Sequence, residues 1–279
     1  CSRDWSSDVC SSDLYLKLPS EGHFYPEGTL DLPPTGTIPV YPMTVKDELT
    51  LKTPDALMNG QGMVDVIHSC CPNIKDAWAM PAVDVDAIFI AIRLASYGSN
   101  MDITTSCTAC GESNEHTISL NHLLDNLKVA DYGKPAFFDD LKFKFKPQSY
   151  KHINDLNIIT YEEQRLVDSI IRNESLSDEE KAVRFGNSFT KLKQMNVDAI
   201  AVCIESITPE GQDPVTDSKF ITQYLENCSR ESYQAIKQKI DDIVKSNKLE
   251  PLKLTCADCH EEYDSSLEFN QSNFFGNGS

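Results

Sequence analysis

Cys107-Thr108-Ala109-Cys110-Gly111 and Cys256-Ala257-Asp258-Cys259-His260 decide how this chain is read. Each Cys-x-x-Cys pair is entered from a strand-like run, Met101 to Thr105 before the first and Leu252 to Thr255 before the second. The first pair leaves into the alternating His116-Thr117-Ile118-Ser119-Leu120, and the second runs through Tyr263 to Leu267, Glu268 and Phe269. A strand, a two-cysteine turn and a second strand make half of a zinc ribbon. Two halves supply the four thiolates of a closed tetrahedral site, with Zn–S bonds of roughly 2.3 Å. The expected metal ligands are therefore Cys107, Cys110, Cys256 and Cys259, and the expected cofactor is one structural zinc. Four protein thiolates leave no open position for water or substrate, so this zinc is expected to be a staple. His116 and His260 stand close enough to the pairs to replace a cysteine, or to be exposed positions of the ribbon strands. A thiol–disulfide oxidoreductase would need a low-pKa Cys-x-x-Cys beside a βαβ pattern, and neither pair has that setting.

Residues 1–14 are read differently from the rest. Asp4 to Leu14 spells a common short-read sequencing adapter translated in one frame, so this stretch is expected to be of technical origin and is set aside. Cys1 and Cys10 leave the cysteine count with it, and the net charge moves from −18 to −16. A hydrophobic content of 40% supports a packed core. No apolar stretch approaches the ~20 residues that cross a bilayer. The longest, Ala87 to Ile92, is flanked by Asp86 and Arg93 and fits a buried helix. A pI near 4.6 opposes unaided contact with nucleic acid, because phosphate binding needs a basic face. Cys70, Cys71, Cys203 and Cys228 sit in half-apolar, helical-looking stretches and read as small core residues of a reduced protein.

Along the chain, Tyr15 to Ser20 is extended, Phe24-Tyr25-Pro26-Glu27-Gly28 is a turn, and Ile38, Val40 and Tyr41 make a short strand. Thr44 caps a helix from Val45, with Asp47 in capping-box position, and Thr53-Pro54 begins another short helix. Val64, Ile67, His68 and Cys71 share one helical face. Asp84 to Tyr97 carries the strongest helical period, and Gly98 stands where it would end. Leu141 to Lys146 alternates strictly, as a half-exposed strand does. From about Tyr150 to Asn247 the pattern is nearly all helix, with a cap at Ser177 backed by Asp178, Glu179 and Glu180, and later caps near Asp217 and Ser229. This helical block lies between the two halves of the ribbon. Closing so long a loop requires a packed domain to fill it.

No catalytic constellation stands out: the chain has no Gly-rich phosphate loop, no H-E-x-x-H and no nucleophile elbow. Asp84 and Asp86 read as helix-start carboxylates favoured by the dipole. Lys142, Lys144 and Lys146 read as a solvated strand face that discourages edge pairing.

Four segments in order carry a family resemblance. Leu16-Lys17-Leu18-Pro19-Ser20-Glu21-Gly22-His23-Phe24-Tyr25-Pro26-Glu27-Gly28 resembles the opening of the T4-type phage baseplate hub and hub-assembly proteins. Val40-Tyr41-Pro42-Met43-Thr44 with Asp47-Glu48, and Asp86 with Ile92-Arg93-Leu94-Ala95-Ser96-Tyr97-Gly98, are similar to two later segments of that family. Phe269-Asn270-Gln271-Ser272-Asn273-Phe274-Phe275 resembles its carboxyl end. The resemblance implies a structural or assembly protein of the central hub of a contractile tail, not an enzyme. It implies partners among other hub and tail subunits, and a place in the virion tail or, during assembly, the host cytoplasm. The competing reading, a zinc-ribbon module acting on nucleic acid or in regulation, is opposed by the net charge of −16 and the lack of a basic cluster near either Cys pair. The expected fold class is α+β. Its parts are 15–100 as an amino-terminal baseplate-type region, 101–120 with 252–269 as the ribbon, 121–251 as a helical insertion, and 270–279 as a tail. Two aromatic pairs are expected to meet partners, Phe24 with Tyr25 in the arm and Phe274 with Phe275 in the tail.

Overall fold

Leu16 and Leu18 alternate with Tyr15 and Lys17, so one face of the opening segment is apolar and seeks cover. β1 (Leu14–Lys17) finds it by pairing antiparallel with β2 (Thr37–Val40), Leu16 opposite Ile38, and all but the edge positions of that face are buried. This computed structural model describes residues 14–53, 60–173, 175–247 and 249–266, in which helices and small sheets are mixed as an α+β fold requires. The chain divides into two units, Cys1–Val129 with Asn247–Ser279, and Ala130–Ser246. The unit boundary thus falls inside the stretch 121–251 expected for the insertion. The short helix expected at Thr53-Pro54 and the tail 270–279 lie outside the described residues.

In the first unit, Thr44 and Asp47 cap α1 (Val45–Leu51) reciprocally, as the capping box demands. α2 (Gln61–Cys70) buries Val64, Val66 and Ile67, and Cys70 and Cys71 are fully enclosed. α3 (Ala82–Tyr97) is buried on nearly every side from Val83 to Arg93, and it forms the centre of this unit. Gly98 ends it at φ 91°, ψ −174°, a conformation open essentially to glycine alone. The arm is fastened to the first turn of α3: the Ser20 N–H and hydroxyl donate to the two Asp84 carboxylate oxygens at 2.7 and 2.6 Å. The Met43 N–H donates to Ser96 Oγ near the other end of the helix.

Two hairpins complete this unit. β3 (Asn100–Ser106) pairs with β4 (Ser113–Ser119), and α4 (Leu120–Asp125) follows directly. β8 (Leu252–Thr255) pairs with β9 (Glu262–Ser265). A Cys-x-x-Cys turn forms the tip of each.

The second unit has a three-stranded antiparallel sheet, β5 (Ala136–Phe138), β6 (Leu141–Phe145) and β7 (Ile204–Thr208), with β6 central. Strand alternation sends Phe143 and Phe145 inward and Lys142 and Lys144 to solvent. Four helices surround it: α5 (Tyr150–Arg172), α6 (Asp178–Ala201), α7 (Ser218–Asn227) and α8 (Arg230–Ser246). Ile200, Ile221, Leu225 and Ile236 close on the Phe143–Phe145 face. The stretch from 150 to 247 is therefore not all helix. Ile204 to Thr208 becomes a strand because β6 offers an open edge and the β-branched Ile204 and Ile207 pack well on a pleated surface. The capping residues behave as the sequence implies: Ser177 with Glu180 forms a capping box on α6, and Asp217 accepts from Lys219 N–H on α7.

Candidate metal centre

The two Cys turns are built alike. Cys107 N–H donates to Glu112 O and Gly111 N–H to Cys107 O, both at 2.9 Å; Cys256 N–H donates to Glu261 O at 3.0 Å and His260 N–H to Cys256 O at 3.1 Å. This closure puts the residue after the second cysteine in the left-handed region, Gly111 at φ 79° and His260 at φ 59°. Glycine accepts that conformation freely, whereas His260 holds it against its own Cβ.

The turns bring the four sulfurs together. Cys107 Sγ lies 3.7 Å from Cys259 Sγ, and Cys110 Sγ lies 3.7 Å from Cys256 Sγ. All four fall within 4.8 Å of one another. No sulfur pair is near the ~2.05 Å of a disulfide. A regular tetrahedron with 2.3 Å arms has edges of ~3.8 Å, so the spacing fits four thiolates around one ion. An all-sulfur donor set favours zinc or iron over calcium or magnesium. Cys107 and Cys256 are buried, while Cys110 and Cys259 face outward.

Electrostatics separates the thiols. The Cys259 and Asp258 N–H groups, with the Asn114 amide, outweigh desolvation and draw the Cys256 thiol down to about 6. The Glu112 N–H pulls Cys110 the same way, but hydrogen bonding to the other three sulfurs, with desolvation, leaves it at about 12.

A supporting shell joins the hairpins. Asn114, 4% exposed, donates through Nδ2 to Cys256 Sγ at 3.4 Å and to Glu112 O at 3.0 Å, and its Oδ1 accepts from Ala257 N–H at 2.8 Å. It therefore touches both turns. Tyr263 on β9 shares hydrogen bonds with Thr105 Oγ1 at 2.6 Å and His116 Nε2 at 3.0 Å. His116 thus braces Tyr263, and among the described residues the metal-competent cluster consists of the four cysteines without His116 or His260. Sequence reasoning missed Asn114, Thr105 and Tyr263. The available signal was a polar residue, Asn114, at an inward position of β4 in register with Ile118.

The aromatic pair of the arm is divided. Phe24 is exposed, with φ 71°, while Tyr25 is half-buried and turns its hydroxyl toward Asp84 without reaching hydrogen-bond geometry. Burial raises the Asp84 carboxyl to about 6, against the opposing effect of the two Ser20 hydrogen bonds. Phe274 and Phe275 lie outside the described residues.

Fold and site together define an α+β protein in which four cysteines from the tips of two hairpins cluster, with a large unit placed between those hairpins in the sequence. The family described as T4 bacteriophage base plate protein matches the chain over residues 25–276, and the chain belongs to it. No curated protein and no solved structure matches. Among the described residues no helix is long and apolar enough to cross a membrane.

Proposed function

We propose that this baseplate protein is a structural or assembly component of the central hub of a contractile, T4-like tail, acting by protein–protein binding, and that Cys107, Cys110, Cys256 and Cys259 hold one structural zinc. The family match over 25–276 supports the baseplate reading. The observation that carries the metal is the convergence of the two Cys-x-x-Cys pairs, whose sulfurs meet across 146 and 152 residues of sequence. Bound zinc would supply a permanent cross-link between the hairpins. The chain's own part is to aim the sulfurs through two equivalent turns and to hold them with Asn114 and Tyr263. Exposed Phe24, on the turn fastened by Ser20 and Asp84, and Phe274 with Phe275 are the proposed contacts to other hub and tail subunits. The protein then works in the tail baseplate, or in the host cytoplasm while the hub assembles.

Metal analysis of purified protein is expected to give one zinc per chain, and clearly substoichiometric metal would overturn the metal assignment. Co-purification from infected cells is expected to recover hub subunits. Deleting residues 15–28 is expected to lower that recovery more than it lowers the yield of folded protein. Recovery of only outer-baseplate proteins would overturn the hub role.

A further inference from the structure

The outward face of α6 has the composition of an interface. Val183 and Phe189, on α6, are 65% and 68% exposed. The seam of α6 with α5 is polar at mid-length: Lys191 Nζ donates to Glu163 Oε1 at 2.6 Å, beside the buried Ser188. Polar groups thus occupy the middle of that seam, while Val183 and Phe189 stand exposed.

The positions on this face follow a symmetric order. At 3.6 residues per turn, Glu179, Val183, Gly186, Phe189 and Lys193 fall within one sector of the helix, and all five are exposed. Gly186 is the midpoint. Val183 and Phe189 stand three residues to either side of it, and Glu179 and Lys193 seven. A Cβ added at Gly186 would meet open space. Neither Glu179 nor Lys193 has an ion-pair partner among the described residues.

We propose that this face binds a second copy of the chain, α6 packing antiparallel on α6 about a two-fold axis at Gly186. In that pairing Glu179 of one copy meets Lys193 of the other, at both ends, and Val183 meets Phe189 twice, as an isologous contact requires. Parallel packing would oppose Glu179 to Glu179 and Lys193 to Lys193, so the charges select the antiparallel arrangement. Glycine at the axis lets the two backbones approach closely. The face is locally neutral, which matters for self-association in a chain of net charge −18. One helix pair lies at the small end of specific interfaces, below ~1,200 Å², so the dimer is concentration-dependent. The pairing does not rest on the hub role.

Sedimentation velocity of the full chain over a dilution series tests it, with far-UV circular dichroism as the check that α6 stays folded. Wild type is expected to pass from monomer to dimer as concentration rises. Phe189→Glu is expected to remain monomeric. Glu179→Lys alone and Lys193→Glu alone each create two like-charged contacts and are expected to weaken the dimer at least about tenfold. The double variant reverses every pair and is expected to return to within about threefold of wild type. A wild type that stays monomeric, a dimer that ignores the single reversals, or a double variant that stays dissociated would each overturn the proposal. So would a monomeric wild type whose capture of another hub subunit is abolished by Phe189→Glu.

Discussion

Asp84 shows how one residue ties the arm to the core. Its carboxylate sits in the first turn of α3, where the helix dipole favours it, but it is also fully buried and receives both hydrogen bonds of Ser20. Burial raises its folded-state value from the ordinary 3.8 to about 6, so the folded protein holds this proton more tightly than the unfolded chain. The stabilisation from that proton is complete below about pH 4 and is lost as pH rises through about 6. A rise of that size corresponds to roughly 3 kcal/mol. Asp84→Asn is expected to flatten the fall in stability between these pH values, measured as melting temperature against pH. An unchanged pH profile would assign the fall to other groups. Asn114 makes a second case. Its amide bridges the two Cys turns, and partners of metal ligands typically carry 10–100-fold of metal affinity. Asn114→Ala is expected to lose metal about tenfold more readily in chelator competition while keeping its fold in excess zinc. His260 is the third. It occupies the left-handed position that Gly111 fills in the sister turn. His260→Gly is expected to raise stability by about 0.5–1 kcal/mol in chemical denaturation, the relief of the Cβ clash less the added chain entropy.

At the scale of elements, start and stop signals did what local chemistry dictates. Gly98 ends α3 in a conformation essentially reserved for glycine, so Gly98→Ala is expected to cost about 1–3 kcal/mol in denaturant unfolding. Ser177 caps α6 with its hydroxyl and a reciprocal Glu180 bond, and loss of that cap in Ser177→Ala is expected to cost about 1 kcal/mol. β7 is the element that local signals do not reveal. Ile204-Glu205-Ser206-Ile207-Thr208 follows the long α6 without a glycine or proline, so a helical reading simply continues through it. Pairing with β6 overrides that reading.

For the whole molecule, the two hairpins that carry the Cys turns matter because they are small. β8 and β9 are two short strands whose apolar packing is Tyr263 and Leu254 against Cys107 and Cys256. A two-stranded hairpin is marginal alone, so its stability is expected to come from the proposed zinc. Chelation, or Cys256→Ser, is expected to remove hydrogen-exchange protection from 252–265 first. Residues around Phe143, Ile221 and Ile236, which have a core of their own, should keep theirs longer. Simultaneous loss across both units would tie the Ala130–Ser246 unit to the staple more tightly than this.

The two Cys-x-x-Cys turns, the caps at Thr44 and Ser177, the buried α3 and the alternating β6 were legible in the residues alone, because each rests on interactions between near neighbours in the chain. The four-cysteine set was legible for the same reason, since each half announces itself within a few residues. Nothing local could show that Asn114 would reach across to Ala257, that Tyr263 would join Thr105 and His116, or that Ser20 would hold Asp84 across 64 residues. Those contacts, like the strand β7, exist only once distant segments pack together. Their partners are chosen by proximity in space, a quantity that spacing along the chain does not encode.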